Sequence, residues 1–225
     1  MLKEIINIWK SNSLMDQAWK QSFEMLNITH DMFLEAVRVL RESEDRDIRE
    51  EIRAKDKKVN AYEQEVRRKV MTHLAMKNAT DLPSAMVLVS IIIDIERLGD
   101  YTKNIVDLIG FRKGQTLHGL YLEDELTRIE TAIKQNFEKT KECLESSHSD
   151  KAITTLSELE WVAEACEKSL KSLVKGVDSN LSSGDSASLA VYFRYLKRIH
   201  AHLRNITTSI VNPFDRIGFK PNDAQ

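Results

Sequence analysis

The sequence predicts an all-α protein: two tandem three-helix bundles, six helices in all, related by an internal pseudo-repeat. Three observations predict it. Glycine (7) and proline (3) are scarce while charged residues reach 30%, a mix that favours long helices over turn-rich sheets. Apolar residues recur at three-, four- and seven-residue spacing along most of the chain. The chain also repeats itself. Ile52, Val59, Val66 and Val70 return as Leu156, Ala163, Leu170 and Val174, each 104 residues later, and Phe33 and Leu40 return as Phe137 and Leu144. Ile95-Glu96-Arg97-Leu98 with Asn104-Ile105 returns as Leu196-Lys197-Arg198-Ile199 with Asn205-Ile206, at an offset of 101. A repeat this long implies one helical unit used twice.

The elements follow in order. Residues 1–13 stand apart as an N-terminal extension. Leu2, Ile5, Ile6 and Trp9 suggest a short helix packed across a bundle end, since only Lys3 and Lys10 favour a membrane surface. Residues 14–112 form the first repeat. Its first helix (14–40) carries Met25, Met32 and Val39 at sevens beside Leu26, Phe33 and Leu40. The charged stretch 41–51 reads as a solvated helix end or turn. The second helix runs from Ile52 to about Met76. After Asn78-Ala79-Thr80, Asp81 offers an N-cap and Pro83 a first-turn proline for the third helix, to about Leu108. Its first half is apolar all round, as expected of the most buried helix. The linker Gly110–Gly119 precedes the second repeat, residues 118–225. Its helices cover 122–146, 151–178 and 186–211, parted by Ser147-His148-Ser149-Asp150 and by Ser182-Ser183-Gly184-Asp185.

Composition narrows the function. A net charge of −2 gives no general attraction to nucleic acid. No segment approaches the ~20 apolar residues that span a bilayer, and the opening residues lack a signal peptide's apolar core. Cys143 and Cys166 sit in no metal or redox spacing and read as buried thiols of a reducing compartment. These features place the chain in the cytoplasm. No phosphate-cradling glycine loop or nucleophile elbow occurs, and Glu145-x-x-His148 is a single copy at a helix end where di-iron bundles need two. Nothing argues for an enzyme. Tyr192, Phe193 and Tyr195 crowd the start of the last helix and the apolar run of the third helix is broad, which suggests a homodimer or larger assembly.

The polar residues of interest lie inside apolar stripes. Asp56, Asn60 and Glu63 follow i, i+4, i+7 spacing beside Val59 and Val66. Glu96 and Asp100 continue the stripe of Val89 and Ile93. Carboxylates brought together on facing helices repel unless a cation intervenes, and oxygen donors suit iron, manganese, magnesium or calcium. Arg97 could equally pair with Glu96 or Asp100 as a surface ion pair. In the second repeat Lys197 and Ala201 replace Glu96 and Asp100, and Lys197 is placed to pair with Glu160 or Glu164.

Asp94-Ile95-Glu96-Arg97-Leu98-Gly99-Asp100-Tyr101 with Asn104-Ile105 resembles the signature helix of the PhoU family. Asp56-Lys57-Lys58-Val59-Asn60-Ala61-Tyr62-Glu63 resembles its second-helix motif, and Val211-Asn212-Pro213-Phe214-Asp215-Arg216-Ile217 its closing segment. The resemblance implies a regulator of phosphate transport and homeostasis. Its partners would be a phosphate transporter or permease and a sensor kinase, with membrane association only through the partner. It also implies a metal site, for iron or another divalent cation such as manganese, magnesium or zinc, at Asp56, Asn60, Glu96 and Asp100, with Glu63 assisting. Asn60 departs from the family's usual acid, and the second repeat keeps only Glu160 and Glu164. A metal-binding bundle and a metal-free adaptor of a phosphate permease are the alternative readings.

Overall fold

The computed structural model describes residues 13–42, 47–76, 81–111, 117, 122–176 and 181–221, the Asp47 side chain apart. Residues 1–12 of the N-terminal extension and the linker glycines 114 and 119 lie outside the described residues.

The first repeat is α1 (Leu14–Glu42), α2 (Asp47–Met76) and α3 (Leu82–Phe111). Each helix buries the stripe that its spacing marks out: Met25, Met32 and Val39 on α1, Ile52, Val59, Val66 and Val70 on α2. Part of the charged stretch, from Asp47, is helical and begins α2. Asp81 serves differently from expectation: its carboxylate meets the His73 ring of α2 at 2.6 Å. The apolar α3 packs against α1, α2 and the last helix. It still leaves Leu82, Met86 and Ile93 about 40% exposed, so it is central without being covered all round.

The second repeat is α4 (Glu123–Ser146), α5 (Ser149–Glu158), α6 (Trp161–Val174) and α7 (Ser183–Thr208). The fifth predicted helix is thus two rods, broken at Leu159-Glu160. Neither proline nor glycine causes the break. Glu160 and Val162 bond instead to carbonyls three residues back, Ser157 and Leu159. Three residues per turn eclipse i and i+3, so Leu159 and Val162 both turn inward, and both are buried. In α2 the residue matching Leu159 is Lys55, and that helix runs through. Ser182 caps α7 by accepting the Asp185 N–H at 3.1 Å.

The two repeats share one continuous apolar core. Phe33 stacks on Phe137, and His30 lies flat on the same ring with centroids 4.8 Å apart. Leu117 donates its N–H to the Leu40 carbonyl, and Arg41 pairs with Glu123 across the repeats. Tyr192 and Phe193 are fully buried, and Tyr192 donates to Glu130 Oε1 at 2.7 Å. Tyr195 rests against Tyr101. Tyr192 and Phe193 therefore face this core, while Tyr195 is half-buried and α3 keeps exposed apolar residues. Beyond α7, Asn212 donates to the carbonyls of Arg216 and Phe219, and the Gly218 N–H bonds to Thr208. These bonds fold the closing segment, with its 3₁₀ turn Phe214–Arg216, back onto the end of α7.

Candidate functional site

Facing stripes of α2 and α3 bring Asp56, Asn60, Glu63, Glu96 and Asp100 into one neighbourhood. Asp56 is buried to 5% exposure. Its Oδ2 accepts a hydrogen bond from Lys103 Nζ at 2.9 Å, and the same ammonium donates to Asp100 Oδ1 at 2.8 Å. Arg97 holds the other Asp100 oxygen at 2.9 Å and approaches Glu96 at 3.5 Å. Glu63 turns along its own helix to Arg67, at 2.8 Å.

Electrostatics follow from this crowding. Burial, with the Asp100 charge next, pushes the Glu96 carboxyl up to about 7 against the pull of Arg97, while Glu63 and Asp56 add repulsion. Glu96 is therefore partly protonated at neutral pH. Burial works against the Lys103 ammonium, but Asp100 and Asp56 outweigh it and hold its pKa above the ordinary lysine value.

A resident metal would need these donors to converge. Among the described residues, no three histidine, cysteine, aspartate or glutamate side chains are grouped to hold an ion. Asp56 Oδ1 and Asn60 Oδ1 are buried without a hydrogen-bond partner. Gly99 leaves room beside the former, where a Cβ would come within 3.5 Å. Those two oxygens could accept one more donor. The bridging position between Asp56 and Asp100, however, already holds Lys103, and a metal ion there would face an ammonium a few ångströms away. As arranged, the residues fit an internal cation better than a metal chelate.

The second repeat has its own version. Lys197, at the position of Glu96, pairs with Glu167, the counterpart of Glu63, rather than with Glu160 or Glu164. Glu160 pairs with Lys220 of the closing segment. The break at Leu159-Glu160 takes Glu160 out of continuous register with the residues that follow it.

A second polar cluster joins the repeats. Asp94 Oδ1 meets His202 Nδ1 at 2.7 Å and accepts from Asn205 Nδ2 at 2.9 Å. The His202 ring stacks on Tyr101, whose hydroxyl accepts from Arg198. Both α7 histidines bond across helices. His200 is buried against Asn136 at 3.2 Å, and burial pushes its pKa down to about 4. Lys103 was absent from the residues that the sequence singled out. The signal for Lys103 was present: it lies three residues past Asp100 and seven past Glu96, on the face of the acids themselves.

The fold and this cluster define a class: an all-helical protein of two bundle repeats whose polar positions form cross-helix charge networks. Residues 23–109, which include the acids of the first repeat, match the family described as the PhoU domain. Most of the chain has the fold of two solved proteins. PhoU from Pseudomonas aeruginosa superposes with TM-score 0.78 at 19% identity, covering 88% of this chain and 95% of that one. The phosphate transport system regulatory protein PhoU from Streptococcus pneumoniae superposes with TM-score 0.76 at 16% identity, covering 88% and 93%. A search of the curated proteins returns no match.

Proposed function

We propose that this chain regulates phosphate transport by binding protein partners, without catalysing a reaction. The observation that carries the reading is the coincidence of two matches. The PhoU domain covers the repeat that holds the acidic motifs, and the fold of a phosphate transport system regulatory protein covers 88% of the chain. The placement of reactive side chains supports a non-catalytic role. Cys143 and Cys166 are buried, with the Cys166 thiol pushed up to about 12 by burial. His200 is enclosed and His202 is held by Asp94. None is placed as a nucleophile with a base beside it.

No helix of the described residues is long and apolar enough to cross a membrane. A membrane transporter would then be reached through its exposed cytoplasmic face, with a sensor kinase as a further partner. The test is co-purification: the tagged chain, expressed in its own cells, is cross-linked and its partners are identified by mass spectrometry. Recovery of a phosphate transporter or permease subunit supports the reading. Recovery of unrelated partners alone would overturn it.

A further inference from the structure

We propose that the second repeat holds a binding pocket for a small oxyanion, a phosphate- or carboxylate-bearing molecule with an apolar group, centred on Arg204. The pocket lies where α5 breaks, between α5, α7 and the closing segment. It has a volume of about 160 Å³ and is walled by Ile153, Leu156, Ser157, Glu160, Arg204, Lys220 and Pro221.

Internal symmetry shows how it arises. With the offsets of 104 and 101, Glu160 occupies the place of Asp56, Arg204 that of Lys103 and Ala201 that of Asp100. In the first repeat the cation is satisfied, because Lys103 bridges Asp56 and Asp100. In the second, Ala201 withdraws one carboxylate. The other, Glu160, is taken by Lys220, which together with Arg204 holds its carboxyl below the usual range. Arg204 keeps its charge and makes no hydrogen bond or ion pair with the described residues. A half-buried guanidinium beside a cavity, with its donors unused, matches a planar or tetrahedral oxyanion that can accept two parallel hydrogen bonds. Lys220 supplies a second positive charge at the rim and Ser157 a hydroxyl. Ile153, Leu156 and Pro221 give an apolar wall for the rest of the ligand, the usual division of labour in a small-molecule site. This inference stands on the pocket alone and does not depend on the phosphate-transport reading.

The experiment is calorimetric titration of the full chain with phenyl phosphate, benzoate and inorganic phosphate at low salt, where charge contacts are least screened. Phenyl phosphate or benzoate should bind, more tightly than inorganic phosphate, and the stronger of the two identifies the anion class. Arg204→Ala should weaken that binding at least tenfold, and Arg204→Lys should recover only part of it, because the ammonium lacks the fork. Glu160→Gln should tighten it several-fold by removing the competing carboxylate. Asp100→Ala, in the first repeat, should leave it unchanged. Circular dichroism confirms that each variant is folded. No binding of any probe at millimolar concentration, or equal affinity in wild type and folded Arg204→Ala, would overturn the proposal.

Discussion

Replacing Lys103 by Met removes the ammonium from between Asp56 and Asp100 and leaves Asp56 buried with no partner on either oxygen. An orphaned buried charge costs several kcal/mol when fully enclosed. Lys103 keeps 27% exposure, so the expected loss is smaller, about 1–3 kcal/mol by urea denaturation. Adding Asp56→Asn should recover most of it, because the cost is one of charge rather than of packing. Glu96 gives the complementary case. Its ionised form is the disfavoured one, so the folded chain holds a proton that the unfolded chain has released. Stability contributed at this position therefore falls as pH rises from 4.5 to about 7 and is level above that. Glu96→Gln should be nearly neutral in stability near pH 4.5 and stabilise by up to about 3 kcal/mol at pH 8. A constant difference between these pH values would contradict the crowding of acids. The sequence makes these acids legible because i, i+4 spacing marks a shared face. It hides the balance among them: counting carboxylates on two stripes overlooks a lysine on the same stripe, and only packing shows which oxygens its ammonium reaches.

Helices were the most legible elements, since heptad spacing, Pro83 and the serine-rich breaks mark where they run and stop. The break at Leu159-Glu160 was not legible. No helix breaker marks it, and the residues on either side of it, Leu159 and Val162, are both buried. The closing segment was recognisable as a motif, but its course depends on one backbone position. Gly218 has φ near +90°, and a Cβ there would come within 2.9 Å of Asn205 Oδ1. Asn205 also donates to Asp94 across the repeats. Gly218→Ala should thus strain the turn and press on that contact, costing about 1–2 kcal/mol in thermal or urea unfolding. An unchanged midpoint would mean that the segment is not held against α7.

At the scale of the molecule, the repeats differ in their charges and share one core. Unfolding of one repeat would expose the faces of α3 and α7 to water together, so both should melt in one transition. Trp19 reports on the first repeat and Trp161, stacked under Arg128, on the second. Fluorescence of a Trp161→Phe variant and of a variant keeping only Trp161 should give the same midpoint as circular dichroism. Separate midpoints would show two independent domains. The repeat itself was legible from offsets of 104 and 101; the divergence at matching positions, Lys103 neutralised by Asp56 and Asp100 in one copy and Arg204 without a partner among the described residues in the other, emerged only once the side chains had partners. Regulation of phosphate transport is tested most directly by uptake of radiolabelled phosphate in cells lacking this chain, grown with ample and with scarce phosphate. The account predicts that deletion alters the dependence of uptake on external phosphate and that the wild-type chain restores it; identical uptake with and without the chain under both conditions would contradict it.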